Sequence, residues 1–158
     1  MRRILLSLLI ISIILSIASK SHAKIHFGVI PIIEEEIDEI IEKIKTKVPQ
    51  VTLKAWSDGM SFTFPEGVFE FGEYYGGYDM KYNSHSQLIF YRLWNWEGGY
   101  VYNIIYDGFG RRIGGNAFLP TTNPYISYNI HIFDISFDDH GEYKSFKTTI
   151  NGYLFTYP

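Results

Sequence analysis

From Pro49 to the C-terminus the chain shows no helical period. It runs in short apolar stretches, each closed by a cluster of Gly, Pro, Asn, Asp or Ser. Stretches of strand length separated by hairpin-length turns restrict the fold to an antiparallel meander. Val51–Trp56, Met60–Phe64, Val68–Phe71, Gln87–Trp94, Tyr100–Tyr106, Tyr125–Phe133, Ile132–Phe137, Tyr143–Ile150 and Tyr153–Tyr157 read as strands, as does the short apolar run Ile25–Ile30 nearer the N-terminus. Met60, Phe62 and Phe64 alternate with Ser61 and Thr63, which gives that strand one apolar face. Ile126, Tyr128, Ile130 and Ile132 alternate in the same way with Ser127, Asn129 and His131. Gln87–Trp94 is apolar on both faces, as a central strand is. Glu73–Tyr82 is rich in Gly and Tyr and has no clear strand pattern, and Gly114–Pro124 reads as a long loop.

Asn151-Gly152, between the last two strands, is the preferred pair for a type I′ turn. A two-residue loop fixes the register. Ile150 then faces Tyr153, Thr148 faces Phe155, and Phe146 faces Tyr157, with Lys147, Thr149 and Thr156 on the opposite side.

One segment breaks the β pattern. Between Ile32 and Lys47, Ile33, Ile37, Ile40, Ile41 and Ile44, continued by Val48, recur in steps of three and four, one stripe on a helix. Pro31 suits the first turn and Pro49 the stop. Acids crowd the early turns and lysines the last, as the macrodipole favours. The isoleucine stripe needs a partner, and the apolar face of the sheet is the only large one on offer. The expected fold class is α+β: one N-terminal amphipathic helix packed on a curved, mostly antiparallel meander of about six to nine strands.

The N-terminus has a different character. Met1-Arg2-Arg3 precedes an apolar run from Ile4 to Ala18, and Ser21-His22-Ala23 has the small-x-small form that signal peptidase cuts. The run falls short of the roughly 18 apolar residues a bilayer span requires. The sequence therefore predicts a signal peptide over 1–23, cleavage after Ala23, and a single secreted or periplasmic domain over 24–158. No stable membrane anchor is expected after cleavage. Removing Arg2, Arg3 and Lys20 leaves 11 basic residues against 17 acidic ones and moves the formal charge from −3 to −6. An acidic domain without a basic stripe is a poor partner for nucleic acid or anionic lipid. Cysteine is absent, which removes disulfides, thiolate metal sites and lipid attachment at the cut, and fits a prokaryotic envelope.

Three likenesses are local. A helix across an antiparallel sheet resembles the layout of cystatin-like domains, without a cystatin motif to bring an activity with it. Tyr106-Asp107-Gly108-Phe109-Gly110-Arg111 resembles one unit of the tyrosine–aspartate repeats of large surface toxins, whose folds need many copies. Phe27-Gly28-Val29-Ile30-Pro31 is similar to the opening strand of periplasmic solute-binding proteins, but the β/α alternation of that family does not follow.

Chemistry is sparse. His26, His85, His131 and His140 lack a ligand spacing such as His-x-x-x-His, and no Gly-x-Ser-x-Gly elbow occurs. Asp138-Asp139-His140-Gly141-Glu142 has the side chains for a divalent cation, but Asp and Gly favour a turn there on backbone grounds alone. No catalytic residue, metal or cofactor is assigned. The informative feature is aromatic surplus: 13 Tyr, 12 Phe and 3 Trp, all after residue 23. Tyr74, Tyr75, Tyr78, Trp94, Trp96 and Tyr100, with Tyr102, cluster around glycine turns and are the candidate ligand-binding residues. The expected function is a non-enzymatic extracytoplasmic binding or interaction domain for a glycan or cell-envelope polymer. The alternatives are a small secreted hydrolase or metal-dependent enzyme using His131 or His140, and a structural cell-surface subunit.

Overall fold

A computed structural model describes residues 30–45, 47–73 and 76–158. The expected strand at Ile25–Ile30 and the signal peptide lie outside the described residues, apart from Ile30 itself. Helix α1 spans Ile30–Lys45, with Pro31 in its first turn. It starts earlier than the periodicity predicts, so its first turn holds no acid. The chain divides into two units inside this helix, between Glu39 and Ile40, and the ten described strands all belong to the second.

That unit is mostly β. Strands β1 (Thr52–Trp56), β2 (Gly59–Phe64) and β3 (Gly67–Gly72) form a three-stranded antiparallel sheet. Strands β4 (Tyr78–Tyr82), β5 (Leu88–Arg92), β6 (Tyr100–Tyr106), β7 (Arg112–Pro120), β8 (Ser127–Phe137), β9 (Tyr143–Ile150) and β10 (Tyr153–Tyr157) form a seven-stranded meander, each paired antiparallel with the next. The described residues make ten strands in two sheets, where one sheet of six to nine was expected.

The core lies between these sheets. Met60, Phe62, Phe64, Phe69 and Phe71 of the small sheet are buried with Tyr91, Val101, Leu119, Tyr128, Ile130, Ile132, Phe146 and Ile150 of the large one. Phe62 meets Phe146 at 5.5 Å between ring centroids, and Phe64 stacks on Tyr128 at 4.1 Å. The small sheet thus fills the apolar face that the helix was expected to cover, so the core is sheet against sheet. Of the helical stripe, Ile40 and Ile44 are exposed, as is Val48 beyond it.

The final hairpin has the expected register, Ile150 to Tyr153, Thr148 to Phe155 and Phe146 to Tyr157. Its turn residues Asn151 and Gly152 both have positive φ, 50° and 83°, as type I′ requires. In β8 the faces separate as read: Tyr128, Ile130 and Ile132 are buried, while Asn129 and His131 are exposed. The long loop expected at Gly114–Pro124 is instead largely β7. Gly114 and Gly115 are not turn formers. A Cβ on Gly115 would sit 3.1 Å from the Phe71 ring, and one on Gly114 2.9 Å from the Ile132 carbonyl oxygen. Bare backbone at Gly115 lets the small sheet close on the large one, and at Gly114 it clears the carbonyl of the adjoining strand β8.

Three hairpins of the large sheet share one plan. The segments Tyr78-Asp79…Tyr82-Asn83…Ser86, Tyr102-Asn103…Tyr106-Asp107…Gly110 and Phe133-Asp134…Phe137-Asp138…Gly141 correspond position by position. Asp79, Asn103 and Asp134 have φ of 51°, 51° and 53° and sit where the register of β4, β6 and β8 shifts. Asn and Asp tolerate this left-handed conformation better than other side chains. Four residues later Asn83, Asp107 and Asp138 each open a loop, and one side-chain oxygen accepts the N–H groups two and four residues ahead. The segment likened to a single tyrosine–aspartate unit is therefore one of three equivalent hairpins, all turning at the same end of the sheet.

Candidate functional site

Pleating and register decide what the large sheet shows on the side away from the core. Tyr78 pairs with Arg92, Arg92 with Tyr100, Tyr100 with Phe118, and Phe118 with Asn129, one row across five strands. A second row runs Lys81, Phe90, Tyr102, Asn116, His131, Thr149 and Leu154. Residues directly opposite share a face, so these side chains form one surface.

That surface is aromatic on the β4–β7 side. Tyr100 lies at its centre, 5.8 Å from Phe90, 5.6 Å from Tyr102 and 5.5 Å from Phe118 between ring centroids. All four rings are half-buried. Trp94, just past the end of β5, pairs with Tyr78 at 4.6 Å and is 76% exposed. The rim is polar. Arg92 Nε donates to Asp79 Oδ2 at 3.2 Å, and the Lys81 ammonium stands 4.8 Å over Phe90. Asn116 Oδ1 and His131 Nδ1 are 2.8 Å apart, and the His131 ring stacks on Phe133 at 5.1 Å.

Of the residues singled out by sequence, Tyr78, Trp94, Tyr100 and Tyr102 come together on this platform. Trp96 does not. It is buried, packs edge-on against Phe64 and Tyr128, and its indole N–H donates to the Val68 carbonyl at 3.0 Å. Tyr74 and Tyr75 lie outside the described residues. Phe90 and Phe118 belong to the platform and were missed, because ring alternation within each strand reads equally well as core. The signal that finds them is the cross-strand register.

A groove of about 650 Å³ runs past Pro65, Glu66, Pro124, Tyr125 and Tyr128. There the Tyr128 hydroxyl donates to Glu66 Oε2 at 2.6 Å, and burial, then the Glu66 carboxylate, raise the phenol's pKa well above its ordinary value. A second hollow of about 540 Å³ is lined by Glu73, Tyr106, Phe109, Arg111 and Arg112. In the acidic turn, the Asp138 carboxylate is engaged by the N–H groups of His140 and Glu142. Among the described residues, no group of three or more His, Asp or Glu side chains is arranged to hold a metal ion. No described helix is long and apolar enough to cross a membrane. No protein-family model matches the chain, and no characterised protein or solved structure is detectably similar to it.

Proposed function

We propose that this protein is a non-enzymatic binding domain, working outside the cytoplasm, that takes a glycan or cell-envelope polymer on the outer face of its seven-stranded sheet. One observation carries the reading. Phe90, Tyr100, Tyr102 and Phe118 lie in contact on the face turned from the core, extended by Tyr78 and the exposed Trp94. A sheet face that meets water ordinarily alternates to polar residues. A contiguous aromatic patch rimmed by polar groups is the usual mark of a binding surface. Sugar rings offer flat C–H faces to such rings and hydroxyls to neighbours such as Asn116, His131 and Arg92. The basic start at Arg2 and Arg3, the apolar run from Ile4 to Ala18 and the small-x-small site Ser21-His22-Ala23 support export, and Edman sequencing of the exported protein is expected to begin at Lys24.

The hydrolase reading has less behind it. The partner of the His131 ring is the Asn116 amide, and among the described residues no carboxylate hydrogen-bonds to the imidazole of His131 or of His140, whose backbone N–H alone donates to Asp138.

Co-sedimentation with a panel of insoluble polysaccharides tests the proposal. The wild-type protein is expected to be retained by at least one of them. Trp94→Ala and Tyr100→Ala are each expected to weaken retention by about 2 kcal/mol, roughly 30-fold, as central aromatic anchors do. Failure to bind any member of the panel, or undiminished binding by both variants, would count against the glycan.

A further inference from the structure

A sheet edge is a row of unpaired N–H and C=O groups that will pair with any strand it meets. The two sheets have four edges, and three are guarded. At β3 the Val68 carbonyl accepts bonds from Asn95 Nδ2 at 2.9 Å and Trp96 Nε1 at 3.0 Å. The β4 edge is distorted by register shifts and carries Asp79 and Lys81. The β1 edge has the exposed Lys54 at its centre. The fourth edge, β10, has no charge, no proline within the strand and no register shift against β9. Among the described residues, no strand pairs with its outward side.

The hairpin register identifies the open groups. A two-residue loop closes on a hydrogen-bonded pair, here Ile150 and Tyr153, and hydrogen-bonded pairs then alternate along the ladder. Tyr153, Phe155 and Tyr157 thus spend their backbone groups on β9. Those of Leu154 and Thr156 point away from it. The Leu154 side chain is also 62% exposed.

We propose that β10 is the interface of a homodimer, in which two copies of Tyr153–Tyr157 pair antiparallel about a two-fold axis at Phe155 and join two seven-stranded sheets into one. In this register Leu154 opposes the partner's Thr156, and each such pair exchanges both N–H···O bonds. Phe155 meets the partner's Phe155 on the core side, where it already packs against the core cluster. The interface is isologous, as closed dimers require. A one-residue slip would bring inward rings opposite outward side chains, so the pleat selects the register. A second copy is the fitting occupant because an uncharged strand that is its own antiparallel complement needs no opposite charge from a foreign one.

Sedimentation equilibrium of the purified protein over a dilution series tests this. The wild type is expected at twice the chain mass. Thr156→Pro removes an outward N–H while leaving every bond to β9 in place. Leu154→Lys places a charge at the joint without touching the core. Both variants are expected at the single-chain mass with an unchanged far-UV circular dichroism spectrum. A wild type at single-chain mass throughout, or a dimer that survives both substitutions, overturns the proposal.

Discussion

Trp94 and Trp96 are two residues apart and have opposite roles. Their clustering in sequence around glycine turns suggested a shared one. Alternation ends with β5 at Arg92. In the loop that follows, the chain turns Trp96 under β3 and leaves Trp94 outside. Trp96→Ala is expected to cost about 3–5 kcal/mol of stability, the range for emptying a large core site, whereas Trp94→Ala leaves the melting temperature unchanged. Thermal melts of the two variants compare these directly. Tyr91 is a different case. It is fully buried, and its hydroxyl has no hydrogen-bond partner among the described residues. Burial pushes its pKa from 10.0 up to about 12, against the opposing pull of Arg112. The folded state holds the phenol proton more tightly than the unfolded chain does. Its contribution to stability is therefore complete below pH 10.0 and lost as the pH climbs towards about 12. Tyr91→Phe removes a buried, unpaired hydroxyl, so its stability at neutral pH should equal or exceed the wild type's. Its advantage should widen above pH 10. Urea titrations across that range would show a constant difference if Tyr91 is not responsible.

At the scale of elements, the three equivalent hairpins make the side-chain requirement testable. The pKa of Asp107 is lowered: desolvation acts to raise it but is outweighed by hydrogen bonds from the Arg111 and Phe109 N–H groups and the Arg111 guanidinium. The Asp138 carboxyl is also held below its ordinary value, mainly by the Glu142 N–H, against some desolvation and with help from His140. Depressed carboxyls stabilise the fold above their unfolded pKa, and the benefit fades as acid protonates them. Asn83 does the same capping with an amide. The double variant Asp107→Asn, Asp138→Asn should therefore keep both turns and lose less stability between pH 7 and pH 3 than the wild type. Equal acid sensitivity would place the titrating groups elsewhere. These hairpins escaped sequence reading because loops of unequal length separate the copies and the first closes on Ser86 instead of Gly. The Asn151-Gly152 turn was legible because two positive-φ residues in a row leave few alternatives. The opposite held at Gly114 and Gly115, where glycine answers to the adjoining strand β8 and to the facing sheet, neither of which the local sequence reveals.

At the scale of the ten-stranded unit, the sequence showed strands and their faces but not their division into two sheets. Alternation in Met60–Phe64 is the same whether that strand extends the meander or folds back over it. The division falls after β3, in a Gly- and Tyr-rich stretch with no pattern of its own. That division leaves the large sheet with one face covered and the other free for the platform, and it bears on the proposed dimer. A two-fold axis relating antiparallel strands stands perpendicular to the sheet, so both platforms face the same way. From one β6 to the other is nine strand spacings, about 43 Å at ~4.8 Å each, and twist shortens the span. A polymer can bridge two such sites, whereas a short oligosaccharide occupies one. Linked sites raise avidity by about 10²–10⁴ without a new contact. Thr156→Pro is therefore expected to weaken binding to the polymer by at least about 10²-fold and to leave oligosaccharide affinity unchanged. Calorimetry with both ligands separates the ideas. Equal losses on both would mean that the substitution damages the platform, and no loss on the polymer would mean that one platform binds at a time.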